Sequence, residues 1–142
     1  MSMDLHDEIK AQLMKHEGLR LKPYQCTAGK WTIGVGRNIE DRGITEEEAM
    51  HLLDNDIDEC QEELDRITPW WIEKPAHVQL VLINMMFNLG ATRLLGFKKF
   101  LKAVEENNFD LASTEMLDSR WAKQVGQRSI ELSEFMKNGY TE

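Results

Sequence analysis

The chain has 142 residues, 42% of them apolar, and a formal net charge of -8. That length suffices for one folding unit with a buried core that needs neither disulfide nor metal. The acidic balance speaks against binding a phosphate backbone, and no basic stripe interleaved with aromatics offsets it, so nucleic acid is not expected as a partner. Two cysteines make no disulfide framework. No run of eighteen apolar residues and no basic-then-apolar leader stand in the sequence, so neither stable membrane insertion nor a secretory signal is expected.

In chain order, Leu5, Ile9 and Leu13 recur four apart between charged residues over Met3 to His16, the apolar stripe of a helix lying on a core. Glu17 follows at the edge of that stripe, and Gly18 is suited to terminate the helix. Unpaired carbonyls at a helix C-terminus present partial negative charge. That environment favours a neutral carboxyl, which is what a proton donor requires. A solvated glutamate at a helix end is the plainer alternative.

After Tyr24 the texture becomes extended. Trp31, Ile33 and Val35 alternate with Thr32, Gly34 and Gly36, giving a strand with one bulky and one nearly bare face. A bare face lets another group come close, although Gly34-Val-Gly36 also reads as a simple bend. A strict two-residue reversal at Ala28-Gly29 would put Cys26 on the Trp31 face. Bringing Cys26 and Thr32 to one site needs a looser loop, Cys26 to Lys30.

Thr45-Glu-Glu-Glu48 is a capping-box pattern opening a helix to about Arg66, with Ala49, Leu53, Ile57, Cys60 and Leu64 as its apolar stripe. Asp54, Asp56 and Asp58 mimic the start of a calcium loop, but Glu59 stands where that loop needs glycine, and a solvated helix face is expected. Pro75 suits the start of a core helix carrying Val78, Val81, Leu82, Met85, Met86 and Leu89, ending before Gly90. Further helices are expected over 96–106, 108–118 and 127–138, with Trp121 between the last two. Trp70-Trp71 lies in a proline-flanked connector and is expected to pack between helices rather than stack on sugars. The four histidines lack ligand spacing. No metal and no cofactor are proposed.

Glu17, eight residues, Cys26, five residues, Thr32 resembles the catalytic pattern of the phage-type, T-even-like lysozymes, with both gaps intact. Where that family usually carries aspartate, this chain has Cys26. The likeness extends through Glu17-Gly-Leu-Arg-Leu-Lys and Trp31-Thr-Ile-Gly-Val-Gly36, and resumes in Ile83-Asn-Met-Met-Phe-Asn-Leu-Gly90, Gly96-Phe97 and Ser119-Arg-Trp121. It implies an α+β, mostly helical, two-lobed lysozyme-like fold in one domain over 1–142. The sheet lobe would take about 18–45, a connecting helix about 46–66, and the larger helical lobe about 1–16 and 67–142.

The resemblance further implies an endolysin muramidase that hydrolyses the β-1,4 bond between N-acetylmuramic acid and N-acetylglucosamine in peptidoglycan. Glu17 would be the acid, with Cys26 and Thr32 managing a water on the far face of the sugar. Phe87 and Asn88 match cleft-lining positions. Arg128 matches the arginine that pairs with the catalytic glutamate, and it would orient Glu17 while favouring its charged form, against the helix-end effect. Asp56 would pair with Arg37. The implied partner is the peptidoglycan glycan strand, met by a monomer that waits in the host cytoplasm and reaches the wall in the periplasm through a separate holin. Two other readings remain open: a catalytically impaired peptidoglycan-binding protein, because of Cys26, and a helical interaction module.

Overall fold

The computed structural model describes residues 4–139. It is mostly helical, with one three-stranded antiparallel sheet in the order β1-β2-β3. Chain contacts divide it inside its longest helix: one compact unit ends at His51 and a second begins at Leu52.

The first unit opens with α1, Leu5–Glu17, started by Asp4, whose carboxylate accepts from the Asp7 amide at 2.8 Å, and ended by Gly18 at φ 76°. Its stripe does not behave as the spacing predicts. α1 has no buried residue, and Leu5, Ile9 and Leu13 are exposed. The periodicity sets the face of a helix but not what covers it. The sheet follows as β1 (Arg20–Gln25), β2 (Trp31–Gly34) and β3 (Arg37–Asn38), then the single turn α2 (Ile39–Arg42). Gln25 pairs with Trp31 and Tyr24 with Thr32, so the connection between β1 and β2 is the five-residue loop Cys26 to Lys30 that the sequence requires. A register shift interrupts β1 between Arg20 and Tyr24, around Pro23, which has no amide proton to give the ladder.

The long helix α3, Glu46–Ile67, starts on a complete capping box. The Thr45 amide donates to Glu48 Oε1 at 2.8 Å and the Glu48 amide donates to Thr45 Oγ1 at 3.1 Å. The same carboxylate takes Arg37, with Nη1 at 2.9 Å from Oε1 and Nη2 at 2.7 Å from Oε2. Arg37 is thus held by Glu48 rather than by the expected Asp56. The fork needs two carboxylate oxygens close to β3, and the first turn of α3 supplies them. The Thr45 amide and the Arg37 guanidinium together hold the Glu48 carboxyl below its usual range.

In the second unit the core forms around α4, Ala76–Leu95, which follows a 3-10 turn at Pro69–Glu73. Pro75 stands just ahead of it, and all six expected stripe residues are buried, with Leu94 added. Gly90, at φ 78° and ψ 167°, breaks the helical path inside α4, where the sequence expects the helix to stop. By length and mean hydropathy α4 is long and apolar enough to cross a membrane, a test that the core helix of a folded unit also passes, and the sequence's lack of an unbroken apolar run of eighteen stands. A strict count of consecutive apolar residues stops at His77, Gln79, Asn84 and Asn88, whereas the average does not. Trp71 is buried and its Nε1 donates to Asp65 Oδ1 at 2.7 Å, so it packs as expected. Asp54, Asp56 and Asp58 stand exposed along α3.

Four helices complete the unit: α5 (Lys98–Glu105), α6 (Phe109–Leu117), α7 (Arg120–Val125) and α8 (Gln127–Asn138). The sequence reading lacks α7, which is capped by Ser119 through its bond from the Ala122 amide at 3.1 Å and buries Trp121. Both cysteines are free thiols, Cys60 buried on α3. Leu64 is fully buried in the core cluster. Leu64→Ala should therefore cost about 2–5 kcal/mol, read as a lowered urea midpoint with an unchanged m-value.

Candidate active site

Glu17 is the last residue of α1, and its side chain lies against the turn between β2 and β3. A Cβ placed on Gly36 would stand 2.8 Å from Glu17 Oε2 and 3.1 Å from its Cδ, and Gly36 itself sits at φ +69°. Glycine suits the backbone angle there, and its missing side chain leaves room for the exposed Glu17 carboxyl group. The strand itself ends at Gly34, short of the expected Gly36, and it is at the turn glycine Gly36 rather than at Gly34 that the acid comes close.

Cys26 and Thr32 are brought together by the Lys30 carbonyl. It accepts the Cys26 amide at 2.9 Å, closing the loop, and the Thr32 hydroxyl at 2.9 Å. Inside the loop the Gly29 amide donates to the Cys26 carbonyl at 2.8 Å, with Gly29 at φ +77°. The Cys26 sulfur faces the backbone amides of Lys30 and Ala28 and the Thr32 hydroxyl, which hold its pKa below the ordinary thiol value. Thr32 is almost fully buried, and Cys26 is half-buried. The hydroxyl has one proton and two acceptors, the Lys30 carbonyl and the sulfur. Toward any further molecule it serves as an acceptor.

In the second unit, Arg128 donates from Nε to Asn84 Oδ1 at 2.9 Å, and from Nη2 to the same oxygen at 2.6 Å. Arg128, Asn84 and Phe87 line one cavity of about 290 Å³ together with Leu53, Ile57, Leu80 and Ile83. Phe87 is 47% exposed, so an apolar ring is open to a ligand there. Asn88 points elsewhere, accepting from Trp121 Nε1 at 2.7 Å. Asn84 is the residue that sequence reasoning misses. Its signal is position, three before Phe87 and four before Asn88 on one helix, hence on a neighbouring face. Asp4, His6 and Asp7 bring ligating atoms within 4.8 Å of one another, a grouping that motif spacing does not reveal. All three are exposed, and Asp4 is already occupied in capping α1.

A mostly helical α+β chain with this small sheet is of the lysozyme-like fold class. The sequence profile of the phage lysozyme family matches residues 14–134, and the chain belongs to that family. It is 33% identical over 131 residues to the endolysin of Acyrthosiphon pisum secondary endosymbiont phage 1, covering 89% of this chain and 87% of that protein. It is also 26% identical to the "Probable T4-type lysozyme 1" of Dictyostelium discoideum, over 92% of this chain and 94% of that one. The SAR-endolysin of Escherichia phage Mu is 28% identical, over 87% of this chain and 71% of its own length.

The contact at Gly36 can be measured by a double-mutant cycle. Gly36→Ala should destabilise the protein mainly by the positive-φ cost of about 1–2 kcal/mol, with a smaller part from displacing the Glu17 side chain. Glu17→Ala in the same chain should recover that smaller part, about 0.5 kcal/mol, the low end of coupling for residues in contact. Strict additivity in urea unfolding would refute the contact.

Proposed function

We propose that this protein is an endolysin muramidase, hydrolysing the β-1,4 bond between N-acetylmuramic acid and N-acetylglucosamine of peptidoglycan in host lysis. The observation that carries the reading is a carboxyl group seated at a glycine turn of the same compact unit that joins Cys26 to Thr32. Membership of the phage lysozyme family supports the substrate class. On this reading all 142 residues form one lysozyme-like catalytic domain, working as a monomer. It waits in the host cytoplasm and reaches the periplasmic wall through a separate holin.

A glycosidic oxygen leaves poorly until it is protonated, and Glu17 supplies that proton. The bond to the anomeric carbon breaks as a water attacks from the opposite face. Thr32 commits its one proton to the Lys30 carbonyl or to the sulfur, so toward that water it accepts a hydrogen. The Cys26 sulfur accepts the other and, as thiolate, removes it. Both water hydrogens are then engaged and a lone pair is left for the sugar. The water enters on the face opposite the leaving group, so the product anomer is inverted. Phe87, Asn88 and Arg128 serve on the substrate side, with support from the cavity that Phe87 and Arg128 share.

A second reading rests on Cys26 itself. A neutral thiol is a weaker base than aspartate, and with it the protein would bind peptidoglycan without cutting it. Turbidity clearing of outer-membrane-permeabilised bacteria, paired with release of reducing ends, separates the two. Muramidase action predicts that Glu17→Gln lowers the rate by about 10²–10⁴-fold and that Cys26→Asp retains it. Clearing by the Gln variant at the wild-type rate would overturn the reading. Binding without reducing-end release by the wild type would establish the alternative.

The thiol also sets a pH signature. The amides around Cys26 lower its pKa, so the thiolate fraction grows as pH rises through the range below the ordinary thiol value of about 8.5. Glu17 must be protonated at the same time, so the signature is a ratio: the wild-type rate relative to that of Cys26→Asp, whose carboxylate is already charged there, should climb across that interval.

A further inference from the structure

The two groups proposed to handle the water do not touch the framework independently. The Cys26 amide and the Thr32 hydroxyl both end on the carbonyl of Lys30, each at 2.9 Å. The position of that one peptide group therefore sets the separation of sulfur and hydroxyl. Backbone pairing fixes Lys30 from one side only, because β2 begins at Trp31 and the loop lies on the other.

What fixes it from the other side is its own side chain. Lys30 Nζ lies 3.2 Å from Glu40 Oε2 and 3.4 Å from Asp41 Oδ1, both on α2. Glu40 Oε1 also accepts the Trp31 amide, at 3.5 Å. Asp41 is in turn restrained, its amide donating to Asn38 Oδ1 at 3.0 Å and its Oδ2 accepting from Asn38 Nδ2 at 3.1 Å. The ion pairs are half exposed, where such pairs add little to stability. Their geometric effect is larger, since they tie the loop base to a capped helical turn.

We infer that Lys30 is a positioning residue for the reaction: its ammonium, gripped by Glu40 and Asp41, fixes the carbonyl on which the Cys26 amide and Thr32 hydroxyl converge. The inference rests on the muramidase reading for its catalytic consequence, but not for its hold on the thiol. With the clasp intact, the amides of Ala28 and Lys30 stay aimed at the sulfur and the thiolate is favoured. With it released, the loop loosens and the sulfur loses those donors.

The test is the pH dependence of iodoacetamide alkylation at Cys26, followed by peptide mass so that the buried Cys60 does not contribute, together with kcat and KM on soluble peptidoglycan fragments. The variants are Lys30→Met, Lys30→Arg and the pair Glu40→Gln with Asp41→Asn. Lys30→Met should slow alkylation at neutral pH about tenfold, the effect of one pH unit in the profile. It should also lower kcat about tenfold to a hundredfold with little change in KM, as misplacement of a reacting group does. Lys30→Arg should restore both. The double variant decides between geometry and charge. Removing two carboxylates near a thiol favours the thiolate through space, so a charge effect alone would speed alkylation. Loss of the clasp slows it. Faster or unchanged alkylation in the double variant overturns the proposal. Slowed alkylation in the variants, beside a wild-type protein that cuts no glycan, would sink the muramidase reading while supporting the clasp.

Discussion

The close approach of the Glu17 carboxylate to the Gly36 backbone is the constraint on which the first unit depends. Oε2 occupies space that any side chain at position 36 would fill, with only 2.8 Å to a would-be Cβ. The end of α1 and the turn between β2 and β3 thus meet at an ionisable side chain. α1 itself has no buried residue, and its last residue is the one that meets the turn. Two further groups in this unit each serve two partners: the carbonyl of Lys30 takes the Cys26 amide and the Thr32 hydroxyl, and the carboxylate of Glu48 takes the Thr45 amide and Arg37.

Local chemistry made much of this legible in the sequence. Thr45 and Glu48 announce their reciprocal bonds by residue type and a three-residue gap, and both bonds form. The loop from Cys26 to Lys30 is what alternation requires if the thiol and Thr32 are to share a site, since a tighter turn would have placed the thiol on the Trp31 face, and the looser loop is the one that forms. The stripe from Val78 to Leu89 is buried throughout, since a period of three and four on a long helix leaves little choice. Gly90 breaks the helix where a residue tolerant of positive φ stands.

What stayed hidden depends on partners rather than patterns. Arg37 carries a charge wherever it lies, and nothing in its neighbours says that Glu48, already engaged in a cap, will also take it. The junction at the Lys30 carbonyl is a main-chain group common to every residue, so no side-chain motif marks it. Asn84 reads as a polar interruption of an apolar stripe until Arg128 is seen to donate to it. The short α7 was lost between Ser119 and Gly126 because six residues give too little period to register. The environment of Cys26 shows why residue type alone misjudges chemistry: a thiol met by backbone amides is a different base from a thiol in water.

Glu48 carries a consequence for acid. Its carboxyl is held below the usual glutamate range, so the stabilisation it gives is fully present above that range and fades as pH drops through the lowered value. Protonation there removes the charge that holds the Arg37 guanidinium and weakens the oxygen that accepts the Thr45 amide. One proton thus acts on a strand contact and a helix start together, so in acid the two weaken in step.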